Sequence, residues 1–152
     1  MDRRLVGCPP DPAADRIGTI AHVAGRYAIH QYGERSARLI PAKNPASWTE
    51  AIELARAERE PVVLAVNSRQ ADGNDMSWLW DVEFERLAGG NVTVTGERAT
   101  PLAVRLRYAN VRFRAEPDPV LAITNSGPGR PNVLADYTAF QSIRARGRNG
   151  AQ

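Results

Sequence analysis

The sequence predicts an α/β fold: an open, mostly parallel sheet with a β-hairpin added at its amino-terminal side. Three observations predict it. From residue 43 onward, stretches of helical period alternate with short apolar runs at least three times, the rhythm of successive strand–helix–strand units. One of those runs, "PVVLAVN" (61–67), is apolar without alternation, as a strand buried on both faces of a parallel sheet must be. Ahead of the alternation, "IAHVAGRYAIHQYGERSARLIPA" carries two β-leaning runs around "QYGER", with Gly33 able to take a positive φ, which signals a hairpin.

The elements follow in order. "KNPASWTEAIELARAERE" opens with Asn44 as N-cap and Pro45 at the first helical position. Trp48, Ala51, Ile52 and Ala55 then recur at i, i+3, i+4 and i+7 and form one apolar helix face. After the strand "PVVLAVN" comes the polar stretch "NSRQADGNDMS", then "SWLWD", where Ser77 can cap a helical turn, and "VEFERLAGG", a short helix ended by a glycine pair. "NVTVTG" is the next strand. "ERATPLAVRLRYANV" is a helix with Ala99, Leu102, Ala103 and Leu106 on one face, and Pro101 requires that it start close by, with Thr100 as cap. "PDPVLAITNSG" is a weaker helix, "PNVLADYT" a last strand and "AFQSIRARG" a last helix.

The totals suit one domain of ordinary size. Of 152 residues, 43% are hydrophobic and 24% charged, as in globular proteins. No apolar run approaches the roughly 18 residues of a membrane span. Residues 1–18 are polar, carry Pro9, Pro10 and Pro12, and read as a disordered or truncated leader without the apolar core of a secretory signal. The domain proper is expected over 19–146, and 147–152 as a disordered tail. The single Cys8 rules out an internal disulfide and points to a reducing, cytoplasmic compartment. A net charge of +3 and a pI near 9.5 do not amount to a nucleic-acid footprint, because the arginines are scattered among 17 acids rather than gathered in a stripe with aromatics.

In open α/β sheets the functional groups gather in loops at the carboxyl ends of strands. "ADGNDMSWLWD" (71–81) follows such a strand and holds Asp72, Asp75 and Asp81 beside Trp78 and Trp80. Turn and cap roles account for Asp72 and Asp81; Asp75 is the least explained. A complete hydrolase would need Cys8, His22 or His30 to meet Asp75, and nothing in the spacing brings them together. No His/Cys pair has metal-ligand spacing. Neither G-x-x-x-x-G-K-[ST] nor G-x-G-x-x-G occurs; "NSGPGRPN" (125–132) reads as a turn, since Pro128 and Pro131 remove backbone donors, and the glycine of "VTGERAT" as a tight strand-to-helix connection rather than an anion site. Lys43 and Asn44 open a helix, and Lys43 is also suited to a substrate phosphate or carboxylate.

"VAGRY", "AKNPASWTEAIEL", "ADGNDMSWLWDVEFE", "TGERATPLAVRLRYANV" and "DYTAF" follow one another, over residues 23–143, in the order that resembles the C-terminal domain of MurT, the Mur-ligase-like subunit of lipid II isoglutaminyl synthase. The resemblance implies a Rossmann-like fold of the Mur ligase C-terminal type. It implies a partner, the GatD-type glutamine amidotransferase subunit, whose Cys and His release ammonia from glutamine. With that ammonia and ATP, the complex amidates the D-glutamate α-carboxylate of lipid II. The aspartate of the "DGxDxSW" motif falls on Asp75 and is implied to complete the partner's triad, with Lys43, Asn44, Asp72 and Trp78 implied in substrate or partner contacts. The family's ATP and magnesium site, with its G-K-T loop, and its four-cysteine zinc ribbon have no counterpart in these residues. The chain is thus expected to be either a piece of a longer protein or a remnant, inactive alone. A protein-binding module without a catalytic residue, and a small enzyme of unknown substrate, are the rival expectations.

Overall fold

The computed structural model describes residues 27–149. Cys8, His22 and the expected leader lie outside the described residues.

Strand β1 (Ala28–Tyr32) and strand β2 (Arg35–Pro41) form the expected antiparallel hairpin, with Tyr32 opposite Arg35 across a two-residue turn. Gly33 opens that turn at φ +62°, the pattern of a type II′ hairpin, whose twist matches that of its strands. Helix α1 (Pro45–Glu58) then crosses to strand β3 (Val62–Ala65). Its start is a capping box: the Asn44 side chain accepts the Ser47 backbone N–H at 2.9 Å, and the Asn44 backbone N–H donates to the Ser47 hydroxyl at 3.0 Å. The expected face of Trp48, Ala51, Ile52 and Ala55 is buried, joined by Leu54.

From β3 to strand β4 (Val92–Thr95) the chain runs through three short 3-10 turns, at Gln70–Asp72, Ser77–Asp81 and Phe84–Leu87. The last replaces the expected short helix, and the middle one begins at Ser77 without a Ser77 cap: that side chain turns back to Asp75. Helix α2 (Ala99–Tyr108) starts earlier than Thr100 implied, with Arg98 in the N-cap position and no side-chain cap. The turn is made upstream by Gly96, at φ +99°, where a Cβ would lie 2.5 Å from the Val66 carbonyl oxygen. Pro101 falls in the first turn of α2, where its missing N–H costs nothing.

Strand β5 (Arg114–Ala115), which the sequence does not announce, precedes helix α3 (Pro119–Thr124), strand β6 (Asn132–Ala135) and helix α4 (Tyr137–Arg146). The last strand stops at Ala135 rather than running through "DYT", because Asp136 turns to cap α4, accepting the Ala139 N–H at 3.1 Å. Strand β7 (Arg148–Asn149) lies in the segment expected to be a disordered tail and pairs with His30 and Gln31 of β1.

The sheet order is β5-β4-β3-β6-β2-β1-β7; β2, β6, β3, β4 and β5 are mutually parallel, and only the pairings of β1 are antiparallel. Two cores result. Val62, Leu64 and Val66 join the cluster under α1, α2 and the 3-10 turns, whereas Val63 and Ala65 join the one under α3 and α4. That division explains the unbroken apolar run: every side chain of β3 has a core to enter. Among the described residues, no helix is long and apolar enough to cross a membrane.

Candidate functional site

The strand order reverses between β3 and β6. The chain leaves β3 toward β4 on one side, and β6 toward α4 on the other. At the carboxyl ends of such strands the connections diverge and open a crevice. Here it measures about 440 Å³ and is walled by Lys43 and Asn44 after β2, Asp72 and Trp78 from the loop after β3, and Asp136 and Tyr137 after β6. Lys43 is its only cation among the described lining residues. Asn44 is engaged in the helix cap, and Trp78 stacks on the buried Trp48 at 5.4 Å between ring centroids, with the planes 26° apart.

Both crevice carboxylates already accept several hydrogen bonds. Asp72 accepts the Arg69 N–H at 2.9 Å, the Thr138 N–H at 2.9 Å and the Thr138 hydroxyl. Asp136 accepts the backbone N–H groups of Asn67 at 3.0 Å, Ser68 at 2.8 Å and Ala139 at 3.1 Å. Burial pushes the Asp136 carboxyl above its ordinary range, and Asp72 adds to that, against the three N–H groups that pull it down. One lysine facing two such acids does not suit a triphosphate, so the described residues do not by themselves fit ATP with magnesium.

Asp75 stands apart from this crevice, at the exposed tip of the same loop. One carboxylate oxygen accepts the Ser77 backbone N–H at 2.9 Å and the other the Ser77 hydroxyl at 2.7 Å. Those two bonds, the backbone one first, hold its carboxyl below the ordinary range, so it is anionic at neutral pH. Each oxygen accepts one of these bonds and retains capacity for another at an exposed position. Trp80 is nearby in sequence and 56% exposed, set edge-on to Tyr108 at 5.4 Å. An ionised, oriented and exposed carboxylate can accept a hydrogen bond from an incoming protein group; alone it performs no chemistry.

His30 is not brought to Asp75. It lies buried on β1, does not line the crevice, and its Nδ1 has no partner among the described residues. Among the described residues no three His, Cys, Asp or Glu side chains gather as a metal site. The "NSGPGRPN" segment turns from α3 into β6 at the opposite, amino end of the strands, with Gly127 and Gly129 at positive φ, and Gly96 makes the tight connection expected of it.

Asp136, Ser68 and Arg105 escaped the sequence reading. Asp136 carried a signal, an acid three residues before Ala139 at the start of a helical run, which is an N-cap pattern. Ser68, at φ +47°, and Arg105, buried with its guanidinium on the carbonyls of Leu79 at 2.9 Å and Val82 at 2.8 Å, carried none.

A sequence model of the MurT ligase C-terminal family matches residues 42–140. The chain is 32% identical over 133 residues to the MurT subunit of the glutamine-hydrolysing lipid II isoglutaminyl synthase of Streptococcus pneumoniae, covering 80% of this chain and 30% of that protein. It is 36% identical over 92 residues to the subunit of the same name from Staphylococcus aureus, covering 57% of this chain and 21% of that protein. The chain thus spans less than a third of the length of these relatives. It is a member of the MurT ligase C-terminal family.

Proposed function

We propose that this domain serves a lipid II isoglutaminyl synthase: it docks a GatD-type glutaminase subunit and lends Asp75 to that subunit's Cys–His pair. The enzyme so assembled would be an ATP- and glutamine-dependent ligase that amidates the D-glutamate α-carboxylate of lipid II in peptidoglycan synthesis. The low cysteine content fits a cytoplasmic setting for it. One observation supports the reading above the rest. The Asp75 carboxylate is exposed, ionised and held at two points by Ser77, and among the described residues it accepts nothing else.

In a Cys–His pair the imidazole takes the thiol proton, and its other ring nitrogen needs an acceptor. A carboxylate there selects the useful tautomer and stabilises the imidazolium that forms. If Asp75 is that acceptor, its short tether to Ser77 removes rotamer freedom before the partner arrives. Glutamine would then be hydrolysed efficiently only in the assembled complex, which limits loss of ammonia to solvent.

The test is Asp75→Asn in the reconstituted synthase, with ammonia release as readout. Asparagine retains an oxygen for the Ser77 N–H, so the turn persists while the charge is lost. Glutamine hydrolysis should drop by about 100-fold or more, as when a triad carboxylate is neutralised, with complex formation intact. Wild-type turnover would refute the role.

A second reading is favoured by a different observation, the exposure of Trp80 at 56% and Tyr108 at 74%. Under it the loop is docking surface only. Trp80→Ala would then weaken the complex, while Asp75→Asn would leave turnover unchanged.

A further inference from the structure

The loop that presents Asp75 is fastened at its base by a carboxylate on a different element. Asp136, 5% exposed at the end of β6, receives the N–H groups of Asn67 and Ser68 on one oxygen and that of Ala139 on the other. The Ser68 N–H is available to it because Ser68 sits in the left-handed region, at φ +47°. That backbone is unfavourable for a residue with a Cβ and persists only where surrounding bonds over-determine it. Ser68 then passes the constraint on: its hydroxyl donates to the Gly73 carbonyl at 2.8 Å, two residues before Asp75. Past Asp75, Trp78 rests on Trp48, so the tip is clamped on both sides.

We propose that Asp136 is a positioning residue for Asp75, acting through the left-handed Ser68 and its bond to Gly73 to set where the Asp75 carboxylate stands. The inference rests on the assignment of Asp75 to the partner's Cys–His site. Asp136 itself touches neither the partner nor glutamine in this scheme. Sequence proximity does not suggest the link, since Ser68 and Asp136 lie 68 positions apart. It exists because β3 and β6 are paired neighbours with Ala65 opposite Ala135.

The experiment uses the reconstituted synthase and measures glutamine hydrolysis, capture of the glutaminase subunit and thermal melting for five variants: Asp136→Asn, Ser68→Ala, Asp75→Asn, and each of the first two combined with Asp75→Asn. Asp136→Asn places an amide against one set of backbone N–H donors, and Ser68→Ala removes only the hydroxyl bond to Gly73. Each single variant should lower kcat for hydrolysis about 5- to 50-fold, with KM for glutamine and subunit capture near wild type. In the Asp75→Asn background neither should lower kcat further, because a residue that acts through Asp75 has nothing left to position. Equal losses with and without the Asp75 carboxylate, or no loss in either single variant, would overturn the proposal. Should Asp136→Asn fail to fold, Ser68→Ala and its double variant decide it. Failure of the Asp75 assignment looks different: Asp75→Asn by itself would then retain full activity.

Discussion

Asp72 and Thr138 join the loop after β3 to the first turn of α4: the carboxylate accepts the Thr138 backbone N–H at 2.9 Å and its hydroxyl as well. The bond spans the point where the connections after β3 and β6 diverge, so the two walls of the crevice are joined through a side chain, not through sheet pairing. Asp72→Ala removes these bonds and the one from the Arg69 N–H, and the chain should lose about 1–3 kcal/mol in urea unfolding. A loss near zero would mean that the loop is held by other contacts.

Gly96→Ala is expected to be severe. The Cβ would stand 2.5 Å from the Val66 carbonyl oxygen and 2.8 Å from its nitrogen, and the residue is at φ +99°. Backbone strain and overpacking together put the cost at about 2–4 kcal/mol. Gly73→Ala, at φ +82° but with nothing near its Cβ, isolates the strain alone and should cost less by the same denaturation measurement.

Arg105 ties the 3-10 turns to α2. It donates to the carbonyls of Leu79 and Val82, reaches Glu85, and lies over the rings of Trp80 and Phe84 at 5.2 and 5.6 Å. Arg105→Met keeps much of the stem but orphans two carbonyls, with an expected loss of about 2–4 kcal/mol. Hydrogen exchange over residues 79–86 should accelerate selectively. Uniform acceleration through α1 would instead indicate global loosening.

His30 sets a pH dependence. Burial first, and Arg144 second, lower its pKa from 6.5. Below that pH the unfolded chain binds a proton that the folded chain resists, so more protons are bound in the unfolded state and stability rises with pH through this window. Stability should therefore decline as pH drops below about 6.5, until the lower folded-state value is passed. His30→Leu, which removes the titrating ring, should flatten that slope in melts at several pH values. An unchanged slope would assign it to another group.

Much of the architecture was legible in advance, and for local reasons. The capping box at Asn44, the face from Trp48 to Ala55, the Gly33 hairpin and the unbroken run of β3 each follow from chain chemistry within a few residues. So does the composition of the loop that carries Asp75. Elements that depend on a distant neighbour were misread or unseen. β5 and β7 have two residues each and exist as strands only because β4 and β1 offer them an edge. Ser77 suggested a cap, yet its hydroxyl found the Asp75 carboxylate two residues back.

The sequence by itself determined the alternation of elements, the apolar faces and the presence of an unexplained acid in a loop after a buried strand, because hydrophobic period and cap chemistry act over one or two turns. Only the tertiary structure decided where the crevice opens, that Asp72 and Asp136 are tied to distant parts of the chain whereas Asp75 is held only by the nearby Ser77 among the described residues and is exposed, and that His30 does not line the crevice. These are consequences of strand order. Pairing β6 between β2 and β3 brings together residues nearly seventy positions apart, and no local pattern encodes which strand a given strand will choose as its neighbour.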